Sequence, residues 1–275
     1  MKKTASLISI AIGLALGVST SAQADIASIK EANKFVCGTM GTAEPFSFQD
    51  PNTRAIVGYE VDMCQAIADS LGVPLDLKLI AVEARIPELV AGRIDLAAAN
   101  LGWSPERATQ IDYTHQHFVS NQKILARKDS KDLESTADFA GKRVSAVRGS
   151  SSEQGARTHI KDVRPLTFKD PSGAFLALQQ KKVEGFVASE MMLVKLEAQA
   201  ADSAVPVKII EDALFVEPWG MGVKKGNDDL RTHVNDLLGK MQESGDLDKL
   251  FTKWFGPDTQ FNMKRTFAVE EIKAN

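Results

Sequence analysis

The run Gly149-Ser150-Ser151-Ser152 directly follows an apolar stretch, 144–147, that reads as a strand. Glycine lets a ligand approach the backbone closely. The free N–H groups of a helix start attract an anion. Composition alone makes the same run a plain helix N-cap; its position after a strand raises the ligand-binding reading. A carboxylate would also call for a guanidinium, which offers two parallel charge-assisted donors. Arg148, immediately before the run, is a candidate by position, and it is equally a solvated surface arginine. Trp103, between Gly102 and Ser104, could cover a ligand or fill a core or rim. His115 and His117 stand two apart with no third ligand in the pattern, so no metal is expected. G-x-S-x-G, H-E-x-x-H and P-loop patterns are absent from the sequence, which leaves those chemistries without support.

Such residues need elements to position them. In GYEVDMCQAIADSL, 58–71, Val61, Cys64, Ala68 and Leu71 fall on one helical stripe, with Met63 and Ile67 beside it. Around this helix, strands are expected at 34–37, 75–80, 94–98 and 121–127, with a short helix at 86–91. A second series then begins. Strands at 143–147, 166–168, 185–188 and 207–210 alternate with helices at 151–159, 173–180 and 190–199. A strand at 219–224 and helices at 228–244 and 246–255 follow. Alternation of this kind means parallel sheets covered by helices. It is interrupted near 121–127 and 215–222. The expected fold class is therefore α/β, with two hinged lobes of mixed, mostly parallel sheet joined by two crossing segments. Lobe 1 would comprise 25–123 and 219–275, and lobe 2 would comprise 124–218. Ligands of such sheets bind beyond the carboxyl ends of strands and between domains, which points to a cleft between the lobes.

Residues 1–24 have the form of a cleaved secretory signal peptide. Lys2 and Lys3 precede a short apolar core, and Ala22-Gln23-Ala24 gives a small-x-small cleavage site. The remainder is expected in a periplasm. The 275-residue chain has a formal net charge of −3, two units more negative without the two leader lysines. Weak acidity with no basic cluster argues against nucleic acid and anionic membranes as partners. Past the leader, no apolar run is long enough to span a bilayer. The two cysteines, Cys37 and Cys64, favour a disulfide over two buried thiols in an oxidising compartment. Closing a loop of that length is worth about 3 kcal/mol in the chain-entropy model.

The helix GYEVDMCQAIADSL resembles the signature of the periplasmic solute-binding proteins of polar amino acid ABC importers, solute-binding family 3. CGTMGTAEPFSF (37–48) resembles that family's first strand and the loop that enters the cleft. EARIPELVAGRIDLAAANLGWSPER (83–107) resembles the stretch carrying the ligand-binding arginine. DFAGKRVSAVRGSSSE (138–153) resembles the opening of the second lobe. KKVEGFVASEMML (181–193) and SGDLDKLFTKWFG (244–256) match a late strand and the closing helix.

The resemblance implies a receptor without chemistry of its own, needing no cofactor or metal. It would be a monomer that binds an amino acid in the cleft and docks on a membrane permease. Arg107 matches the carboxylate-binding arginine, with Gly102 and Ser104 presenting further groups to the same carboxylate. Ser150 and Ser151 match the small hydroxyl residues of the opposite clamp. Tyr59 is implied to lie against the ligand, and Glu44 and Phe46 sit on the loop that enters the cleft. Arg85 resembles an arginine that meets the second carboxylate of acidic ligands. Cys37 and Cys64 resemble a pair that staples strand to helix. Two departures stand out. Ser189, with Glu190 beside it, takes the place of an acid that binds the ligand ammonium. Met40 and Ala43 stand where some members have an acid and an aromatic residue. Cyclohexadienyl dehydratases resemble these receptors too. An enzyme reading would use Glu44, Glu153 or Glu190 as a cleft acid with a raised pKa.

Overall fold

The computed structural model describes residues 26–273. The expected signal peptide lies outside the described residues. Helix α1 (Ile26–Ala32) leads into strand β1 (Phe35–Thr39), which is buried at every position but one. A small antiparallel sheet follows, made of β2 (Thr42–Ala43), β3 (Ser47–Gln49) and β4 (Ile56–Val57). Helix α2 (Tyr59–Leu71) starts at Gly58 because the backbone there has φ 143°, a region that suits glycine. A Cβ at Gly58 would lie 2.2 Å from the Phe46 carbonyl oxygen. The whole apolar stripe read from the sequence is buried on α2.

The first series continues with β5 (Leu75–Leu79), α3 (Arg85–Val90), β6 (Leu96–Ala97) and α4 (Pro105–Ala108). Then comes β7 (Ile111–Arg127), one strand of 17 residues where only 121–127 was expected. The polar residues Thr114, Gln116, His117, Ser120 and Gln122 hide this strand in the sequence, yet all are buried. Each has a partner that removes the cost of burying it. Thr114 Oγ1 accepts from the Met221 N–H, Gln116 Nε2 donates to the Ala268 carbonyl, and the His117 ring meets Glu60.

The second series comprises β8 (Arg143–Val147), α5 (Ser151–His159), β9 (Arg164–Phe168), α6 (Pro171–Gln179), β10 (Gly185–Ser189), α7 (Glu190–Ala200) and β11 (Val207–Ile209). Strand β12 (Phe215–Lys224) and helices α8 (Asp228–Ser244) and α9 (Asp246–Phe255) follow.

The fold is mixed α/β, with two lobes sharing one curled sheet of nine strands. Its order is β5-β1-β6-β12-β7-β10-β8-β9, with β11 also paired to β7. Pairing is parallel among β5, β1 and β6 and again among β10, β8 and β9. The two crossing segments are β7 and β12, which pair as one antiparallel ribbon from Phe215↔Gln122 to Lys224↔Ile111, with irregularities around Gly220. The lobe that holds α2 is filled by Phe46, Tyr59, Phe118, Trp219, Phe251 and Phe255, whose rings meet mostly edge to face. Cys37 on β1 and Cys64 on α2 are joined by a buried disulfide, so the staple implied by the resemblance is present. Among the described residues no helix is long and apolar enough to cross a membrane.

Candidate functional site

A cavity of about 440 Å³ lies between the two series of elements. Met40, Thr42, Leu79, Arg85 and Asn100 line it from one side. Val147, Ser150, Ser151, Ser152, Ser189 and Met192 line it from the other. Gln122 of β7 and Trp219 of β12 also line it. The volume and the mixture of apolar wall with a few polar groups suit a small-molecule ligand.

The serine run does what its position after a strand suggests. Ser150 caps α5, accepting from the Glu153 N–H at 3.1 Å, and its hydroxyl donates to the Val147 carbonyl at 2.6 Å. Ser152 donates to Gln122 Oε1 at 2.7 Å. The two readings of this run, cap and cavity wall, hold together. The capping bond orients a helix start whose next residues border the cavity.

The arginines behave differently from the expectation. Arg85 lines the cavity, but its guanidinium is occupied by backbone. Nε donates to Val82 O at 2.8 Å, and Nη1 donates to Ala99 O at 3.0 Å and Asn100 O at 2.7 Å. Burial, followed by the nearby Arg107 charge, pushes its pKa down to about 9. Arg107 Nη1 donates to Gly102 O at 2.8 Å, and Nη2 donates to Gly149 O at 3.0 Å. Its side chain borders a smaller neighbouring pocket with Glu106, Glu153 and Arg157. Ser104 caps α4 by accepting from the Arg107 N–H.

Other expected residues also fall elsewhere. Tyr59 is fully buried, and its hydroxyl donates to the His117 carbonyl at 2.9 Å. It packs with Phe46 in the aromatic core, and neither ring borders the cavity. The stripe that buries α2 carries Tyr59 inward with it. Trp103 is half-buried and uses its backbone N–H on the Pro218 carbonyl. Glu44 is paired with Lys195 of α7 and accepts from Gln260. Glu190 is paired with Lys123 and Asn121. Burial acts to raise its pKa, but these partners prevail and hold it below the ordinary value. Glu153 accepts from the Gly149 N–H and from Arg157. The acids considered for an enzyme are thus all engaged as acceptors of hydrogen bonds or ion pairs. His117 is paired with Glu60 inside the protein, and among the described residues no cluster of three metal-ligating side chains occurs.

One buried acid was missed. Glu217 of β12 is 2 % exposed. Its Oε2 accepts from Trp219 Nε1 at 2.8 Å and from Gln122 Nε2 at 2.9 Å. Burial raises its pKa; Ser151, Trp219 and the charges of Arg107 and Arg85 oppose that rise without cancelling it. No sequence signal marked it, because it falls in the interruption near 215–222. Gly102 leaves it room: a Cβ on Gly102 would lie 1.5 Å from Glu217 Oε1.

Comparison with known proteins agrees with this architecture. The model of bacterial extracellular solute-binding proteins, family 3, matches residues 35–257. The L-cystine-binding protein TcyJ of Escherichia coli (strain K12) is 28% identical over 253 residues, covering 90% of this chain and 94% of that protein. The ABC transporter glutamine-binding protein GlnH of Bacillus subtilis (strain 168) is 30% identical over 237 residues, with 85% of each covered. The structure of an ancestral arginine-binding protein bound to arginine superposes with a TM-score of 0.74 at 32% identity. It covers 82% of this chain and 99% of that one. These relatives are binding proteins for amino acids, not enzymes.

Proposed function

Because the chain belongs to the bacterial extracellular solute-binding proteins, family 3, we propose that it is a periplasmic receptor that captures a polar amino acid. The ligand lies between the lobes, and the closed, monomeric receptor delivers it to the permease of an ABC importer. The signal peptide at 1–24 brings it to that compartment. Lobe 1 is formed by 25–123 with 219–275 and lobe 2 by 124–218, and β7 and β12 supply the hinge. A ligand touching both lobes stabilises the closed form, and closure is the signal read by the partner.

The observation that carries this reading is the cavity itself. It is walled from both sides and bordered by the start of α5, where free N–H groups favour an anion. The ligand's carboxylate is met there by Ser150 and Ser151. Arg85 supports an acidic ligand poorly, since its donors serve the carbonyls of Val82, Ala99 and Asn100. A neutral or cationic side chain is the better match to the remaining wall.

A thermal-shift panel on protein stripped by unfolding and refolding tests this. It would hold the L-amino acids with ornithine, citrulline, cystine and dicarboxylates. A ligand at a hundred times its Kd adds about 2.7 kcal/mol. A shift with neutral or basic amino acids is expected. A shift restricted to aspartate and glutamate would return Arg85 to a ligand role, and no shift with any amino acid would overturn the receptor reading.

A further inference from the structure

The chain continues past α9 as an extended arm, beyond the stretch 35–257 that matches the family. From 263 to 270 its positions alternate between half-buried and exposed, the period of an extended chain laid on a surface. Phe261, Met263, Phe267 and Val269 face the core of the lobe that holds α2. Polar bonds fix the arm to α8 and α9. Gln242 Oε1 accepts from the Val269 N–H at 2.7 Å and from Arg265 Nη1 at 3.2 Å. Arg265 Nε donates to Asp248 at 2.7 Å.

The far end of the arm lies on the ribbon that joins the lobes. β6 pairs with β12 at Gly222 and Val223, and β10 joins β7 only from Gln122 onward. Between these points the two ribbon strands hold mainly each other, with one bridge from Gly102 to Trp219. Their ladder is irregular around Gly220. There the Gln116 N–H donates to the Glu270 carbonyl at 2.9 Å, which satisfies a backbone donor. Gln116 Nε2 donates to the Ala268 carbonyl at 3.0 Å and to Glu270 Oε1 at 3.3 Å. Phe267 meets the Phe118 ring of β7 edge to face at 5.4 Å, and Ile272 lies against Gly220 of β12. At the near end, Gln260 donates to Glu44, the partner of Lys195 across the cleft.

Resting on the receptor reading above, we propose that residues 260–272 form a strap that clamps the hinge ribbon to α8 and α9 and biases the receptor toward its closed form. Hinge motion concentrates the backbone change in a few residues between rigid bodies. Here those residues are tied to the helices of one lobe through Gln116, Phe118 and Gly220. Bending the ribbon strips these bonds or drags the arm with it. The strap makes its contacts while Arg107 and Gln154 also bridge the lobes, to Gly149 and Glu106, so it supports that arrangement.

The test uses the mature chain as wild type, Gln116→Glu and Phe267→Ala. Gln116→Glu sets an acceptor against the Ala268 carbonyl and the Glu270 carboxyl while leaving the arm itself intact. Phe267→Ala removes the ring on Phe118. Small-angle X-ray scattering of the ligand-free proteins should show a larger radius of gyration for both variants, with circular dichroism unchanged. Calorimetric titration with L-glutamine, L-arginine and L-cystine should show the tightest binder weakened by about fivefold, the factor carried by one neutral hydrogen bond acting on the closed population. A variant that melts earlier yet keeps wild-type scattering and affinity has lost only cover for the core, and this overturns the proposal. Expansion without loss of affinity overturns it too. If wild type binds none of the three amino acids, the receptor reading falls, while scattering of the ligand-free proteins still decides whether the strap holds the hinge.

Discussion

The guanidinium of Arg107 reaches the carbonyl oxygen of Gly149 at 3.0 Å while also holding Gly102 O at 2.8 Å. Gly149 begins the serine run and Gly102 faces it from the other lobe. The arginine is thus a strut across the cleft, and Arg85 adds a longer bond to the same Gly149 oxygen at 3.4 Å. Hydrogen bonds from a charged donor are worth about 1.5–3 kcal/mol when made. Arg107→Ala should therefore weaken ligand binding by roughly tenfold or more through loss of the closed form. Arg107→Lys should rescue little, since a point charge cannot span two carbonyls. Calorimetric titration with the best amino acid checks this. Wild-type affinity in Arg107→Ala would remove the strut from the closure mechanism.

On another side of the cleft, Glu44 and Lys195 form an ion pair, joined by Gln260. Both side chains are partly exposed, at 26% and 37%, so screening limits the pair to about 1 kcal/mol or less. Lys195→Ala should raise the ligand off-rate a few-fold, by roughly the factor that 1 kcal/mol allows. The difference from wild type should shrink at high salt, because exposed pairs are screened. Stopped-flow dissociation at two ionic strengths reads both effects. A salt-independent difference would mean that Lys195 acts through packing.

Glu217 makes stability depend on pH in a stated direction. Its carboxyl sits above the ordinary value of 4.5, with burial as the leading cause. Between the unfolded value and the raised folded value, the folded protein holds a proton that the unfolded chain has released. Stability from this group is full below the unfolded value and is lost as pH rises through the folded one. Wild type should therefore lose stability relative to Glu217→Gln over that window. Denaturant melts of both proteins across mildly acid pH check this trend, and parallel slopes would assign the pH dependence elsewhere.

Much of the fold was legible because apolar spacing recorded it. Helices α8 and α9 fall on 228–244 and 246–255 as expected, since each carries a long amphipathic pattern. Strand β7 was half missed because His117, Gln116 and Ser120 are buried by specific partners rather than by hydrophobicity. The small strands β2 to β4 are too short for periodicity to register. In the site, the serine run was legible because capping and cavity lining use the same residues. Tyr59 was not, since an aromatic residue at a helix start points wherever the helix buries its face. Glu217 could not be read at all. Its meaning depends on Gly102, 115 positions away in sequence and in contact only after β12 pairs with β7.

That contact gives the last prediction. Gly102 has no open space for a side chain, because Oε1 of Glu217 would lie 1.5 Å from its Cβ and the carboxyl carbon 1.9 Å away. Glu217 cannot simply swing aside, since Trp219 and Gln122 hold its other oxygen. Gly102→Ala should thus expel a buried carboxyl from its donors and destabilise the protein by about 1–3 kcal/mol, the usual range for overpacking. Glu217→Ala should cost stability by itself, through the stranded indole and amide donors. The double variant should be more stable than the sum of the two losses implies, because the clash is absent once the glutamate is gone. A coupling energy of about 1 kcal/mol or more is expected for residues in such contact. Urea melts of the four proteins measure it. Simple additivity would mean that the carboxyl has room to leave Gly102 at little cost, and that the fit between these two residues does not constrain the cavity.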